Sequence, residues 1–177
     1  MSGGVIWITG LSAAGKTTLA TAVIPLLKNH GITTISLDGD LMREVLGEGS
    51  THSKEDRLRI GQSYSRLCRL LSNQGVTVVI ATVGMFHDLH RWNRENFSNY
   101  LEVFLDVPIE ELRRRDPKGI YRRYFKGEIT NVAGLDMLVE NPIKPDVHFK
   151  YEVDRTVQDM ADVVFSSYIN LHEGVSI

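Results

Sequence analysis

The chain opens on Val5-Ile6-Trp7-Ile8, an unbroken apolar run of β-branched and aromatic residues that predicts a buried strand. From Thr17 to Leu27 the period lengthens, with Leu19, Val23 and Leu26 at helical spacing, and Gly31 ends the predicted helix. Ile32 to Leu37 reads as a second strand that runs directly into Asp38-Gly39-Asp40-Leu41-Met42-Arg43. Gly47 to Ser53 reads as a Gly- and Ser-rich loop, and Ser53-Lys54-Glu55-Asp56 as the capped start of a long helix that reaches about Gln74 and closes at Gly75. Val76 to Thr82 is almost continuously apolar, as a central parallel strand covered on both faces should be. A polar helix over His87 to Ser98, a strand over Leu101 to Pro108 and a short helix over Ile109 to Arg114 follow. Lys126 to Pro145 has weak periodicity, with Gly127, Gly134, Pro142 and Pro145, and reads as a mobile loop. Val147 to Phe149 reads as a last short strand and Thr156 to Leu171 as a closing amphipathic helix. Strand-like segments alternating with helices predict an α/β fold: a doubly wound parallel sheet of about five strands with helices on both faces.

Between the first strand and the first helix stands Gly10-Leu11-Ser12-Ala13-Ala14-Gly15-Lys16-Thr17, which fits the phosphate-loop pattern G-x-x-x-x-G-K-[ST] in the context that the pattern requires. Glycines let the backbone curl so that its N–H groups converge on phosphate oxygens, and the helix N-terminus adds its positive end. Gly10, Ser12, Ala13, Ala14, Gly15, Lys16, Thr17 and Thr18 are therefore expected to hold the phosphates of a nucleoside triphosphate, with Lys16 on the β- and γ-phosphates and the Thr17 hydroxyl on Mg²⁺. The sheet is accordingly expected to be of the P-loop NTPase type. No guanine-reading N-K-x-D occurs, which argues against a signalling GTPase and for a small-molecule kinase using ATP.

Strand ends are where open α/β sheets place their ligands, so Asp38, Asp40 and Arg43 beside a triphosphate loop are candidate site residues. A solvated turn is the plainer reading, with Asp40 capping a helix over Leu41 to Leu46. Arg57 lies in the first turn of its helix, where a cation opposes the helix dipole at a mild cost unless it meets an anion. His87 and His90 have no third ligand in view and are discounted as a metal pair. Arg113 to Arg123 holds six of the twenty Lys and Arg residues, with Lys126 close behind. Such clustering in a slightly acidic chain suits a lid over a polyphosphate, although ordinary surface charge would also account for Lys118 and Arg122.

Length and composition narrow the setting. At 177 residues the chain suits one domain over 1–177, with a lid at roughly 114–146. A formal net charge of −2 gives no global basic field, so neither nucleic acid nor a membrane is expected as a partner. The single cysteine, Cys68, excludes an internal disulfide and any Cys-rich metal site, and its place on one helical face with Tyr64, Leu67 and Leu71 reads as a buried core thiol. A core strand begins within five residues of the start, leaving no room for a signal peptide, and no apolar run approaches the roughly twenty residues that span a bilayer. A reducing, cytoplasmic setting is expected.

Several strings together resemble one family. Ile8 to Thr18, Leu37 to Arg43, Ser53-Lys54-Glu55-Asp56-Arg57 and Arg115-Asp116-Pro117-Lys118-Gly119-Ile120-Tyr121 look like adenylylsulfate kinase, in the expected order and over nearly the whole chain. Gly127-Glu128-Ile129, Gly134-Leu135-Asp136 and Glu140 to Pro145 resemble that family's lid, and D-P-K-G-x-Y is the most specific single piece. The resemblance implies transfer of the γ-phosphoryl of MgATP to the ribose 3′-hydroxyl of adenosine 5′-phosphosulfate, by a homodimer. It implies Asp38 as the carboxylate that takes or orients the 3′-OH proton and Asp40 close to the metal and its waters. Arg43 and Arg57 would grip the acceptor's 5′ anionic group, and Lys118, with Arg115 and Arg122 of the lid, would reach phosphates.

The departures fall in the acceptor pocket. Ile60 stands where the family usually has Asn, and His52 and Val132 where it has Phe. Gly84-Met85-Phe86 replaces Ser-Pro-Phe/Tyr, so Gly84 cannot carry the phosphate that the Ser takes in some members. Of two arginines in the following helix, the first falls on His90 and only Arg94 matches. Donor chemistry is thus expected to be intact and the acceptor pocket rebuilt. Three functions follow: an adenylylsulfate kinase, a 3′-kinase for another activated nucleotide such as cytidine diphosphoramidate from capsular polysaccharide synthesis, or a nucleotide-gated binding module without transfer activity.

Overall fold

A computed structural model describes residues 3–46 and 53–173. The loop expected over Gly47 to Ser53, including His52, therefore lies outside the described residues except for Ser53. In chain order the elements are β1 (Val5–Thr9), α1 (Lys16–Asn29), β2 (Thr34–Asp38), α2 (Gly39–Val45), α3 (Lys54–Ser72), β3 (Thr77–Ala81), α4 (His87–Asn96), β4 (Tyr100–Asp106), α5 (Ile109–Arg115), α6 (Ile120–Phe125), β5 (Val147–Lys150) and α7 (Val157–Glu173). The five strands form one parallel sheet in the order β2-β3-β1-β4-β5. The α/β expectation holds.

Why the sheet is covered on both sides is visible in β1. Its residues are fully buried, and alternate side chains enter two different cores. Ile6 and Ile8 join Leu19, Val23 and Leu27 of α1 and Ala161, Val164 and Tyr168 of α7. Val5 and Trp7 join Ile60, Tyr64 and Cys68 of α3 and Leu89 of α4. A strand apolar on both faces requires helices on both faces, and parallel connections supply them. Because every strand points the same way, Thr9, Asp38, Ala81 and Asp106 all end at one rim. The chain leaves β1 there between β3 and β4, the point where strand order reverses, which is where such sheets bind ligands.

Most element boundaries match the sequence pattern, with instructive shifts. The second strand starts two residues later than expected, at Thr34, because the turn after α1 runs through left-handed Gly31 and an Ile32 N–H bond to Leu27 O. Leu27, rather than Leu26, is the fully buried leucine at that end of α1. The lid contains a helix that periodicity did not reveal, α6, and the stretch read as a loop is tied into a compact turn by an Ala133–Met137 bridge. Ser53 caps α3 as expected, its Oγ accepting from Asp56 N at 3.1 Å.

Cys68 is fully buried, and that burial pushes its thiol up to about 12. At pH 8 the native protein should take up iodoacetamide far more slowly than the urea-unfolded chain, since the thiolate is the reactive form. Equal labelling rates, read by intact mass, would contradict the burial of this helix face.

Candidate active site

The phosphate loop takes its shape from three left-handed residues. Gly10 has φ 148°, Ala13 φ 65° and Gly15 φ 99°. At Gly10 a Cβ would lie 2.7 Å from Leu105 O, so only glycine fits there. A backbone that alternates hand in this way presents successive amides to an anion. Lys16 lies across the loop, its Nζ donating to Leu11 O at 2.8 Å. Burial lowers its ammonium to about 8, with the Asp40 and Asp38 charges pulling upward and Lys118 pushing downward. Without a phosphate beneath it, this lysine is held partly against its charge.

The start of α1 and the junction of β2 with α2 then bring three more predicted residues, Thr17, Asp38 and Asp40, beside Lys16, and the lid adds Lys118. Thr17 Oγ1 donates to Asp38 Oδ2 at 2.7 Å, and the Asp40 amide donates to Asp38 Oδ1 at 2.9 Å. Asp38, not Asp40, is therefore the N-cap of α2, which corrects the capping expectation. Burial alone would raise the Asp38 carboxyl, but the Thr17 hydroxyl, the Asp40 and Leu41 amides and the Lys118 charge together hold it below the ordinary carboxylate range. Asp40 is exposed and paired with Lys118 Nζ. The Thr17 hydroxyl and the Asp38 and Asp40 carboxylates form a hard oxygen donor set of the kind Mg²⁺ takes together with substrate phosphates.

The D-P-K-G-I-Y string explains how Lys118 reaches that position. The Asp116 carboxylate accepts the Tyr121 and Arg122 amides at 3.2 and 2.9 Å, which starts α6, and Gly119 turns left-handed at φ 65°. Buried Tyr121 then donates its hydroxyl to Ser12 O of the phosphate loop at 3.0 Å. Arg115 bonds Glu111 at 2.7 Å and approaches Ala13 O at 3.5 Å, so it borders the phosphate loop. Arg122 is exposed on the outer side of α6.

A second cleft opens past the end of β3. It is lined by Arg43, Arg57, Ile60 and Tyr64, by Gly84 and Phe86 after β3, and by Ala133, Met137 and Val139 of the lid. Arg57, Ile60, Gly61 and Tyr64 follow i, i+3, i+4, i+7 along α3, a spacing that marks one helix face in the sequence. Arg57 donates to Asn131 O of the lid at 2.7 Å. The Nε atoms of Arg43 and Arg57 are nonetheless buried without a hydrogen-bond partner among the described residues. Burial lowers the Arg57 guanidinium, the neighbouring Arg43 charge lowers it further, and Asp136 offsets part of this. Two cations crowded into one cleft with unsatisfied donors fit an anion.

Two predicted acceptor residues stand elsewhere. Arg94 is claimed by carboxylates below the cleft, lying 3.1 Å from Glu102 and 3.2 Å from Asp146 and donating to Lys144 O at 2.8 Å. Glu102 is 1% exposed in the middle of β4, and a buried carboxylate there demands this cation. Val132 is turned into the core, so the lid meets the cleft through Ala133, Met137 and Val139 instead. Sequence reading missed those three, and also Glu140, whose carboxylate ties Lys54 of α3 (3.1 Å) and the His87 amide of α4 (2.7 Å) to the lid.

Comparison with known proteins identifies the family. Residues 2–150 match the family model described as adenylylsulphate kinase. A cytidine diphosphoramidate kinase of Campylobacter jejuni is 35% identical over 78% of this chain and 81% of its own length. An adenylyl-sulfate kinase of Pseudomonas aeruginosa is 39% identical over 81% of this chain and 74% of its own length. Among solved structures, an APS kinase of Mycobacterium tuberculosis in complex with AMPPNP and APS superposes with a TM-score of 0.86 and 32% identity, over 97% of this chain and 98% of that one.

Lys16 supplies a test of the phosphate loop. Its ammonium, lowered to about 8 in the free protein, should return toward the ordinary lysine range once phosphate oxygens lie against it. Between these limits binding must take up a proton, and affinity must fall as pH rises. Titration calorimetry with ATP at pH 9, in two buffers of different ionisation heat, should show uptake of close to one proton, against little at pH 7. Absence of uptake at pH 9 would contradict the assigned place of Lys16.

Proposed function

Because this chain belongs to the adenylylsulphate kinase family, and so is a phosphotransferase, we propose that it moves the γ-phosphoryl of ATP to the ribose 3′-hydroxyl of a nucleotide with an anionic 5′ substituent. The observation that carries this reading is the pair Arg43 and Arg57, whose buried Nε atoms have no partner among the described residues, in a cleft whose Tyr64 donates to the carbonyl of Gly39, the neighbour of Asp38, at 2.9 Å. A nucleotide with its 5′ anion on the arginines presents its ribose toward the Asp38 carboxylate. Phosphoryl transfer asks mainly for positioning and charge neutralisation, and these residues supply both.

In this reading the loop amides and Lys16 hold the β- and γ-phosphates. Thr17, with Asp40, would hold Mg²⁺, which would neutralise charge on the phosphate oxygens. The Asp38 carboxylate, oriented by the Asp40 amide at 2.9 Å, accepts from the 3′-hydroxyl. A carboxylate held below the ordinary range suits orientation of the nucleophile more than early proton abstraction. Lys118 moves from Asp40 to the phosphates as charge develops there. Tyr121 keeps the lid seated on the phosphate loop throughout and so excludes water.

Adenosine 5′-phosphosulfate, giving 3′-phosphoadenylylsulfate, is the acceptor most in keeping with the family. A specific observation favours a second reading. The lid presents Ala133, Met137 and Val139 to the cleft, and α3 presents Ile60, so no aromatic ring comes from the lid to stack on a purine. Loss of such stacking costs about 1–3 kcal/mol per base. Cytidine diphosphoramidate, the acceptor named for the Campylobacter relative, places a smaller base there and keeps the 5′ anion.

Two measurements test the proposal. Replacing Asp38 by Asn should lower kcat by about 10²–10³-fold while leaving the dissociation constant for ATP within about two-fold; unchanged turnover would remove Asp38 from the mechanism. ADP release with each acceptor, with 3′-phosphorylation checked by phosphorus NMR, should give kcat/KM values that differ by at least about ten-fold. The preferred base decides between the two readings.

A further inference from the structure

The wall of the acceptor cleft after β3, residues 82–86, has no regular structure, yet its carbonyls are pinned in succession from three directions. Thr9 Oγ1, at the end of β1, donates to Val83 O at 2.5 Å. His90 Nε2, from α4, lies 2.8 Å from Gly84 O. The Glu140 amide, from the lid, donates to Met85 O at 3.1 Å. The middle pin falls at a glycine whose φ is 30° and whose Cβ, if present, would meet Trp7 and Thr82 at 3.0 and 3.1 Å; the same carbonyl also accepts the Phe86 amide at 3.2 Å.

We propose that His90 is a positioning residue for the acceptor: by donating from Nε2 to Gly84 O it fixes the wall against which the acceptor nucleotide binds. This rests on the functional reading above, since the wall belongs to the cleft assigned to the acceptor. A carbonyl can only accept, so Nε2 carries the proton and the neutral ring leaves Nδ1 bare. Nδ1 lies 3.4 Å from Glu102 Oε1 and has no hydrogen-bond partner among the described residues. The ring is 6% exposed, and its burial drives the imidazolium down to about 4, with the His87 and Arg94 charges adding to that and the Gly84 bond and Glu140 opposing it. The neutral donor is thus the form present over the working range. On the far side, Arg94 and Asp146 hold Glu102 in place, and Glu102 backs the ring. The chain of contacts runs from the β4–β5 side of the sheet to the cleft wall. None of the contacts of His90, Glu102 and Arg94 is made with Gly10 to Thr17 or with Asp38, so the larger effect is expected on the acceptor.

The test compares wild type, His90→Ala and His90→Gln by steady-state kinetics in both substrates and by amide hydrogen exchange. His90→Ala should raise the acceptor KM about ten-fold, with the ATP KM changed by less than about two-fold. His90→Gln, whose side-chain N–H₂ reaches about as far as the imidazole Nε2, should recover most of the loss. Exchange should accelerate over residues 82–86 in His90→Ala and stay unchanged over Gly10 to Thr17. Equal rises in both KM values, an unchanged acceptor KM, or a Gln variant as impaired as Ala would each overturn the proposal. If wild-type protein phosphorylates neither acceptor, the functional reading fails by itself. The exchange comparison then judges the pin alone, and unchanged exchange over 82–86 overturns it.

Discussion

β1 is apolar on both faces, and the rest of the molecule follows from burying it. Trp7 and Ile8, adjacent in sequence, enter opposite cores, so neither side of the sheet can be left to water. Helices on both sides require parallel connections, and parallel strands deliver their polar ends to one rim. Gly10, Asp38 and Thr82 come together there because β1, β2 and β3 run parallel, with Ile8 and Asp38 both paired with Ala81. The site is a by-product of how the core is solved, and its chemistry is then set by a few side chains at that rim.

Those side chains are held in mutual tension rather than at rest. Lys16 is desolvated against its charge, and Arg43 and Arg57 share a cleft with buried donors unsatisfied among the described residues. Asp38 and Asp40, in turn, are occupied by Thr17 and Lys118. The desolvated lysine and the crowded arginines cost stability in the free protein, and in the function proposed above anionic groups of the substrates relieve them. Binding free energy is thereby directed to the reacting end of each substrate, which is where it can act on the barrier.

What the sequence disclosed, and what it withheld, follow from the same physics. The phosphate loop was legible because Gly10, Gly15, Lys16 and Thr17 serve a fixed ligand at fixed spacing. Arg57 announced itself by standing against a helix dipole. The elements α6 and the Val132–Met137 turn were not legible, because each depends on one carboxylate, Asp116 or Asp136, accepting two backbone amides instead of on any periodicity. Arg94 was read as a ligand-binding arginine, whereas a buried strand carboxylate holds it. The sign was there in Glu102, a charged residue between Leu101 and Val103 in an otherwise apolar run. Val132 stands where the resembling family has an aromatic residue, but the turn places it in the core and offers its neighbours to the cleft.

One contact in that turn has a wider reach. Gly134, left-handed at φ 83°, leaves room for Leu11 of the phosphate loop, whose Cδ1 would sit 2.6 Å from any Cβ placed there. The same turn carries Ala133 and Met137 into the arginine-lined cleft. Phosphate loop and cleft wall thus share a single packing surface. A substitution that reshapes this turn to alter the cleft therefore also loads the Leu11 side chain, so the two halves of the rim are mechanically tied.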